Sequence, residues 1–122
     1  MQESGEMYLE NILILGKEKN TVRAIDIVER MGFSKPSVSR ALGVLKKDEC
    51  IIVDHNGNIA LLEKGRLIAE KIYERHRMLS QMLMALGVDK NIAEEDACKM
   101  EHVISDCSFE ALLRHYNEMK AQ

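Results

Sequence analysis

The chain has 122 residues, enough for one compact unit or two small lobes with a modest core. Apolar residues are 46% and charged residues 30%, as in an ordinary soluble globular chain, and no apolar run approaches the ~18 residues of a membrane span. A formal charge of −3 does not by itself advertise nucleic-acid binding, but it is unevenly spread: residues 1–88 carry 13 Lys and Arg against 12 Asp and Glu, and residues 89–122 carry 4 against 8. The N-terminus has no secretory pattern, and three well-separated cysteines imply no disulfide framework, so a reducing cytoplasm is expected. One Pro and seven Gly favour a helical protein.

The first predicted helix runs from Glu6 to Lys17, with Met7, Leu9, Ile12, Leu13 and Leu15 apolar. Met7 and Glu10 are three apart and share a face. A second helix is expected over Thr21–Met31, closed by Gly32. Ser34 then caps a third, with Lys35 and Pro36 in its first turn, where Pro is tolerated. Its Val38, Ala41, Leu42 and Leu45 face inward, leaving Ser37, Ser39, Arg40, Lys46 and Lys47 for the surface. Two short helices joined by a Gly-containing turn make a helix-turn-helix, the second basic at its leading end as a major-groove reader would be.

The next stretch sharpens that reading. Ile51–Asp54, then His55-Asn56-Gly57-Asn58, then Ile59–Leu62 predicts a β-hairpin with an Asn-Gly turn. A two-stranded hairpin must pack on something to persist. Helix-turn-helix followed by hairpin is the winged-helix pattern, in which the wing lies along the phosphate backbone. His55 at its tip reads as a solvated turn residue.

The longest helix is predicted from Glu63 to Leu86, with Leu67, Ile68, Ile72, Met78, Leu79, Met82, Leu83 and Leu86 on its apolar face and His76 at the surface between Arg75 and Arg77. A further helix is expected from about Lys90 to Cys107, and a last one capped by Ser108 through Phe109, Leu112, Leu113 and Tyr116. That ridge needs its own long helix or another subunit to cover it. Within Lys90–Cys107 the spacing places Cys98, Glu101 and His102 on one face, a thiolate, a carboxylate and an imidazole. From spacing alone two readings stand: a divalent-metal ligand set, or a core cysteine beside two solvated polar residues. No Ser/His/Asp set, Gly-rich phosphate loop or buried carboxylate pair is legible, so the chain is not expected to be an enzyme and no small-molecule substrate is implied.

Several segments together resemble the diphtheria-toxin-repressor family of iron- and manganese-dependent transcriptional regulators. They are Glu6-Met7-Tyr8-Leu9-Glu10, Ser34-Lys35-Pro36-Ser37-Val38-Ser39-Arg40, Lys64-Gly65, Arg75-His76-Arg77, and Ala97 through Asp106, the last being the most specific. The resemblance implies a mainly α fold: a winged helix-turn-helix with a small wing at residues 1–70, then a helical metal-binding and dimerisation domain at 71–122. It implies the short form without an SH3-like domain. It further implies a cytoplasmic homodimer, with no membrane partner, that binds double-stranded operator DNA when loaded with metal. Ser34, Lys35, Pro36, Ser37, Ser39, Arg40 and Lys46 would face DNA. Met7, Cys98, Glu101 and His102 would form one metal site, with Glu10 and His76 a second. Met7 and Cys98 match the iron-responsive members, whereas Glu10 and His76 fit the manganese type. Ser80 and Glu94 depart from the iron type's ancillary site. Fe2+ is the expected ion, with Mn2+, Co2+ and Ni2+ as alternatives. A regulator sensing redox state or a small ligand through Cys98 is the competing reading.

Overall fold

The computed structural model describes residues 3–121 and divides into two compact units between Lys71 and Ile72. The fold is mainly α with a two-stranded hairpin, the winged-helix and helical-domain plan that the sequence predicts.

The first unit holds α1 (Glu3–Glu18), α2 (Ala24–Met31), α3 (Lys35–Lys47), β1 (Ile51–Val53), β2 (Ile59–Leu61) and the opening turns of α4 (Glu63–Ala85). Its core follows the helical period. Tyr8, Leu9, Ile12 and Leu15 come from α1, Ile27 from α2, and Val38, Leu42 and Leu45 from α3, closed by Cys50, Ile51, Ile59 and Ala69. Each large aliphatic side chain buried there contributes about 1.5–3 kcal/mol.

Helix α2 starts at Ala24, later than the Thr21 expected. Val22 is buried, which mimics a helical stripe, but its carbonyl accepts the Ile59 amide at 2.7 Å and so belongs with the wing. Arg23 takes the cap position: its amide donates to the Asp26 carboxylate at 2.9 Å, and its carbonyl accepts from the Asp26 amide at 3.0 Å. Ser34 caps α3 as expected, its hydroxyl accepting the Ser37 amide at 3.3 Å.

The strands pair antiparallel, Ile51 with Leu61 and Val53 with Ile59, and are one residue shorter than expected at Asp54 and Leu62. Asp54 organises the turn instead. Its carboxylate accepts the Asn56 and Asn58 amides at 2.8 and 2.9 Å and the Asn58 side-chain amide at 3.2 Å. These bonds, led by the Asn58 amide, hold its carboxyl below the usual carboxylate range. Gly57 supplies the positive φ of 84° that the turn requires. Where α4 leaves the wing, Gly65 lies against the Cys50 carbonyl, and any Cβ there would overlap it.

The second unit contains the rest of α4, α5 (Lys90–Val103) and α6 (Asp106–Lys120). Met78, Leu79, Met82, Ala97 and Phe109 form its core, with Met100, Ile104, Leu113 and Tyr116 packed against it. Two boundaries differ from expectation. Helix α5 ends at Val103 rather than Cys107, because Ile104 is extended (φ −72°, ψ 137°). Ser105, not Ser108, caps α6, accepting the Ser108 amide at 3.1 Å. Leu67 and Leu86, read as apolar-face residues, are 55% and 76% exposed. Among the described residues no helix is long and apolar enough to cross a membrane.

Candidate metal centre and DNA-binding face

Helix α5 buries Ala93, Ala97 and Glu101, one stripe at i, i+4 and i+8. The third place on that stripe, where an apolar residue would ordinarily sit, is a carboxylate with no solvent exposure at all. Its Oε2 lies 2.8 Å from Nδ1 of His76 on α4, and its Oε1 lies 3.3 Å from Nε2 of His102. The His102 side chain is fully buried and that of His76 is 29% exposed. Oε1 of Glu101 has no hydrogen-bond partner among the described residues. The contact with His102 is not a hydrogen bond, and a buried carboxylate so incompletely satisfied costs several kcal/mol. Two imidazole nitrogens converging on it form a nitrogen and oxygen donor set, which fits a divalent cation.

The segment carrying Glu101 and His102 is held in place by Arg75, which is only 6% exposed. Its guanidinium donates to the main-chain carbonyls of Ile104 at 2.8 Å and Glu101 at 3.3 Å, pairs with Asp106, and lies 5.3 Å from the centre of the Phe109 ring. One side chain therefore satisfies the carbonyl end of α5 and the start of α6. In the sequence Arg75 is legible only as part of a basic run around a surface His76. Burial of an arginine has no signature in composition, so its role could not be read there.

The remaining expected ligands are Cys98 on α5, Met7 and Glu10 on α1 and His76 on α4. Cys98 is exposed on α5, and among the described residues it belongs to no cluster of three His, Cys, Asp or Glu ligand atoms lying within 4.8 Å of one another. Met7 and Glu10 lie on α1 in the first unit, Met7 half-buried and Glu10 buried. His76, expected at a different site from Glu101 and His102, shares one carboxylate with His102. Ser80 is buried and satisfied by the Arg77 carbonyl at 3.0 Å, while Glu94 is exposed.

On α3 the residues expected to meet DNA form a surface strip. Lys35, Pro36, Ser39, Arg40 and Lys46 are exposed, as is the cap Ser34; Ser37 is half-buried. Ser34 Oγ donates to Ser37 Oγ at 2.9 Å, and Arg40 Nη2 donates to the same oxygen at 3.4 Å. Arg40 is thus oriented by a short hydroxyl relay before any partner arrives.

Residues 1–59 match the family model described as the iron dependent repressor N-terminal DNA binding domain. Residues 62–122 match the iron dependent repressor metal binding and dimerisation domain. The chain belongs to the iron-dependent repressor family. Members of this family are transcriptional regulators, not enzymes. The chain is 31% identical to the diphtheria toxin repressor of Corynebacterium diphtheriae over 105 residues, covering 85% of this chain and 46% of that protein. It is 34% identical to the HTH-type transcriptional regulator MntR of Bacillus velezensis over 102 residues, covering 84% of this chain and 72% of MntR. Among solved structures, the manganese regulator SloR superposes with a TM-score of 0.82 at 29% identity, over 93% of this chain and 53% of SloR. The chain thus spans about half the length of two of these three relatives. The matched family models are described by iron and the relative SloR by manganese, so the family implies a metal without choosing the ion.

Proposed function

We propose that this chain is a cytoplasmic, metal-dependent transcriptional repressor that binds operator DNA as a homodimer when loaded with a divalent metal, Fe2+ in the cell. The observation that carries the reading is Glu101: a fully buried carboxylate with two imidazoles against it and one oxygen unsatisfied. A divalent cation would supply the positive charge and the electron-pair acceptor that this group calls for.

The proposed ligands are Met7, Cys98, Glu101 and His102 at one site, with Glu10 and His76 at a second. The buried centre supports Glu101, His102 and His76; the family resemblance supports the others. Thiol and imidazole bind only when deprotonated, so Cys98, His76 and His102 give up any such protons on loading, and affinity falls with acid. Because α1 belongs to the DNA-binding unit and α5 to the other, a ligand set drawn from both links metal binding to operator binding. The linkage is reciprocal: operator DNA raises metal affinity by the factor by which metal raises DNA affinity. Arg40 is the proposed base reader, suited to bidentate contact with guanine, and Lys46 a phosphate contact.

The choice of Fe2+ rests on sulfur. Met7 and Cys98 favour softer, later ions, with Co2+ and Ni2+ as substitutes in vitro and Mn2+ weaker. Zn2+ binds tightly but activates poorly, since a tetrahedral shell can be completed without engaging every ligand. One observation favours a second reading, manganese: the residues converging on Glu101 offer nitrogen and oxygen only, and Cys98 is exposed. The double substitution Met7→Asp with Cys98→Glu decides between them. For an iron-responsive protein it lowers the Mn2+ concentration needed for DNA binding relative to Fe2+. A natural chain that already responds to Mn2+ below Fe2+ overturns the iron assignment. A chain that responds to peroxide with no metal present favours redox sensing through Cys98.

A further inference from the structure

The wing carries no cation of its own. From Ile51 to Leu62 there is no Lys or Arg, and the one charged residue at neutral pH is Asp54. A wing that lies along a phosphate backbone therefore brings a negative charge to a negative surface, unless a neighbouring element supplies the opposite sign.

Arg23 is that neighbour. It caps α2, and its Nη2 donates to the Asn56 carbonyl at the wing tip at 2.6 Å. The guanidinium also covers Gly57: a Cβ at that position would stand 3.3 Å from Arg23 Nη2. Lys19, close to Asp26 on the same side, is neutralised, since its ammonium lies 2.7 Å from the Asp26 carboxylate. Arg23 is held by a carbonyl, which fixes the side chain without cancelling its charge. The Arg23 backbone is itself fixed by Asp26, so the residue is anchored at both ends and remains exposed. Five N–H donors in a planar fork leave room for a phosphate while the Asn56 bond persists.

We propose that Arg23, reaching from the start of α2 across the wing tip, is the phosphate-contacting cation of the wing. It contacts the DNA backbone and reads no base. This deepens the DNA-binding reading above and rests on it.

The test is the salt dependence of DNA binding by the full chain in the presence of activating metal, with a short random-sequence duplex as probe and fluorescence anisotropy as readout. Each phosphate that the protein ceases to neutralise lowers the steepness of log K against log salt by about 0.9. Arg23→Gln should lower it by about that amount per subunit and weaken random and operator sequences by the same factor. Arg23→Lys, which keeps the charge, should restore the slope. Circular dichroism checks that each variant is folded. If Arg23→Gln weakens binding with the slope unchanged, Arg23 only braces the wing and the proposal is overturned. If the natural chain binds no duplex with any divalent metal, the regulator reading falls and takes this proposal with it.

Discussion

The two units are built on different principles. In the first, the interior is apolar except for the buried Glu10 of α1, and the other polar groups stay at the rim: caps at Arg23 and Ser34, the Asp54 turn, the Ser34–Ser37–Arg40 relay. In the second, a smaller apolar cluster shares the interior with Arg75, Glu101 and the His102 side chain. Burial of charge contributes little to stability unless it is paired, and removing one partner is strongly destabilising. The DNA-binding unit is therefore a scaffold that stands on packing, and the helical unit is one whose interior is completed by electrostatics. The second holds a carboxylate that calls for a cation.

The sharpest break of this contrast is Glu101→Gln. It keeps the size and removes the charge, and metal affinity should fall by about 100-fold or more, as seen by calorimetry or equilibrium dialysis. The metal-free helical unit should be no less stable, since a buried charge has been relieved. A variant that binds metal normally would move the centre elsewhere.

Next in size is Arg75→Met. It leaves the Ile104 and Glu101 carbonyls without their donor, and thermal unfolding should register a decrease of about 3 kcal/mol. A change within about 0.5 kcal/mol would mean that the buried guanidinium is dispensable.

Smaller again are the DNA-face substitutions. Arg40→Ala should cost about 1–3 kcal/mol and relax sequence preference at the base it reads. Lys46→Ala should weaken all sequences alike. If Arg40→Ala leaves specific binding intact, α3 is not the reading helix.

The smallest effect concerns pH. Asp26 and Asp54 both have carboxyls held low, Asp26 chiefly by the Lys19 ammonium and Asp54 by the turn amides. A depressed folded value adds stability that is present above the unfolded carboxylate value, about 3.9, and is lost as pH falls through the folded one. Acid unfolding of the first unit should thus steepen below about pH 4, and Asp54→Asn should flatten it. Asp54 is exposed to solvent, so its part of the change is modest. An unaltered acid limb in Asp54→Asn would deny the turn its assigned role.

The same contrast explains what is legible in the sequence. Where the interior is apolar, helical period and turn chemistry locate α1, α3, the wing and α4, because a stripe of Leu and Ile has one way to be buried. The start of α2 differs from expectation because Val22 is buried through its bond to the wing, between segments far apart in sequence. The α5–α6 junction differs because Ser105 and Ser108 are equally good caps by type. The extended Ile104, whose carbonyl Arg75 engages, sets the break. Glu101 and His102 are legible as ligand types from their spacing. The convergence of His76 on the same carboxylate is not, since it joins two helices 25 positions apart in sequence.

Whether a divalent metal at the Glu101 centre controls DNA binding is decided by an anaerobic titration of operator DNA against the natural chain in chelator, in Fe2+ and in Mn2+. Metal control requires no specific binding in chelator, binding restored by metal, and restoration at lower Fe2+ than Mn2+. Specific binding of equal strength in chelator and in both metals would contradict it.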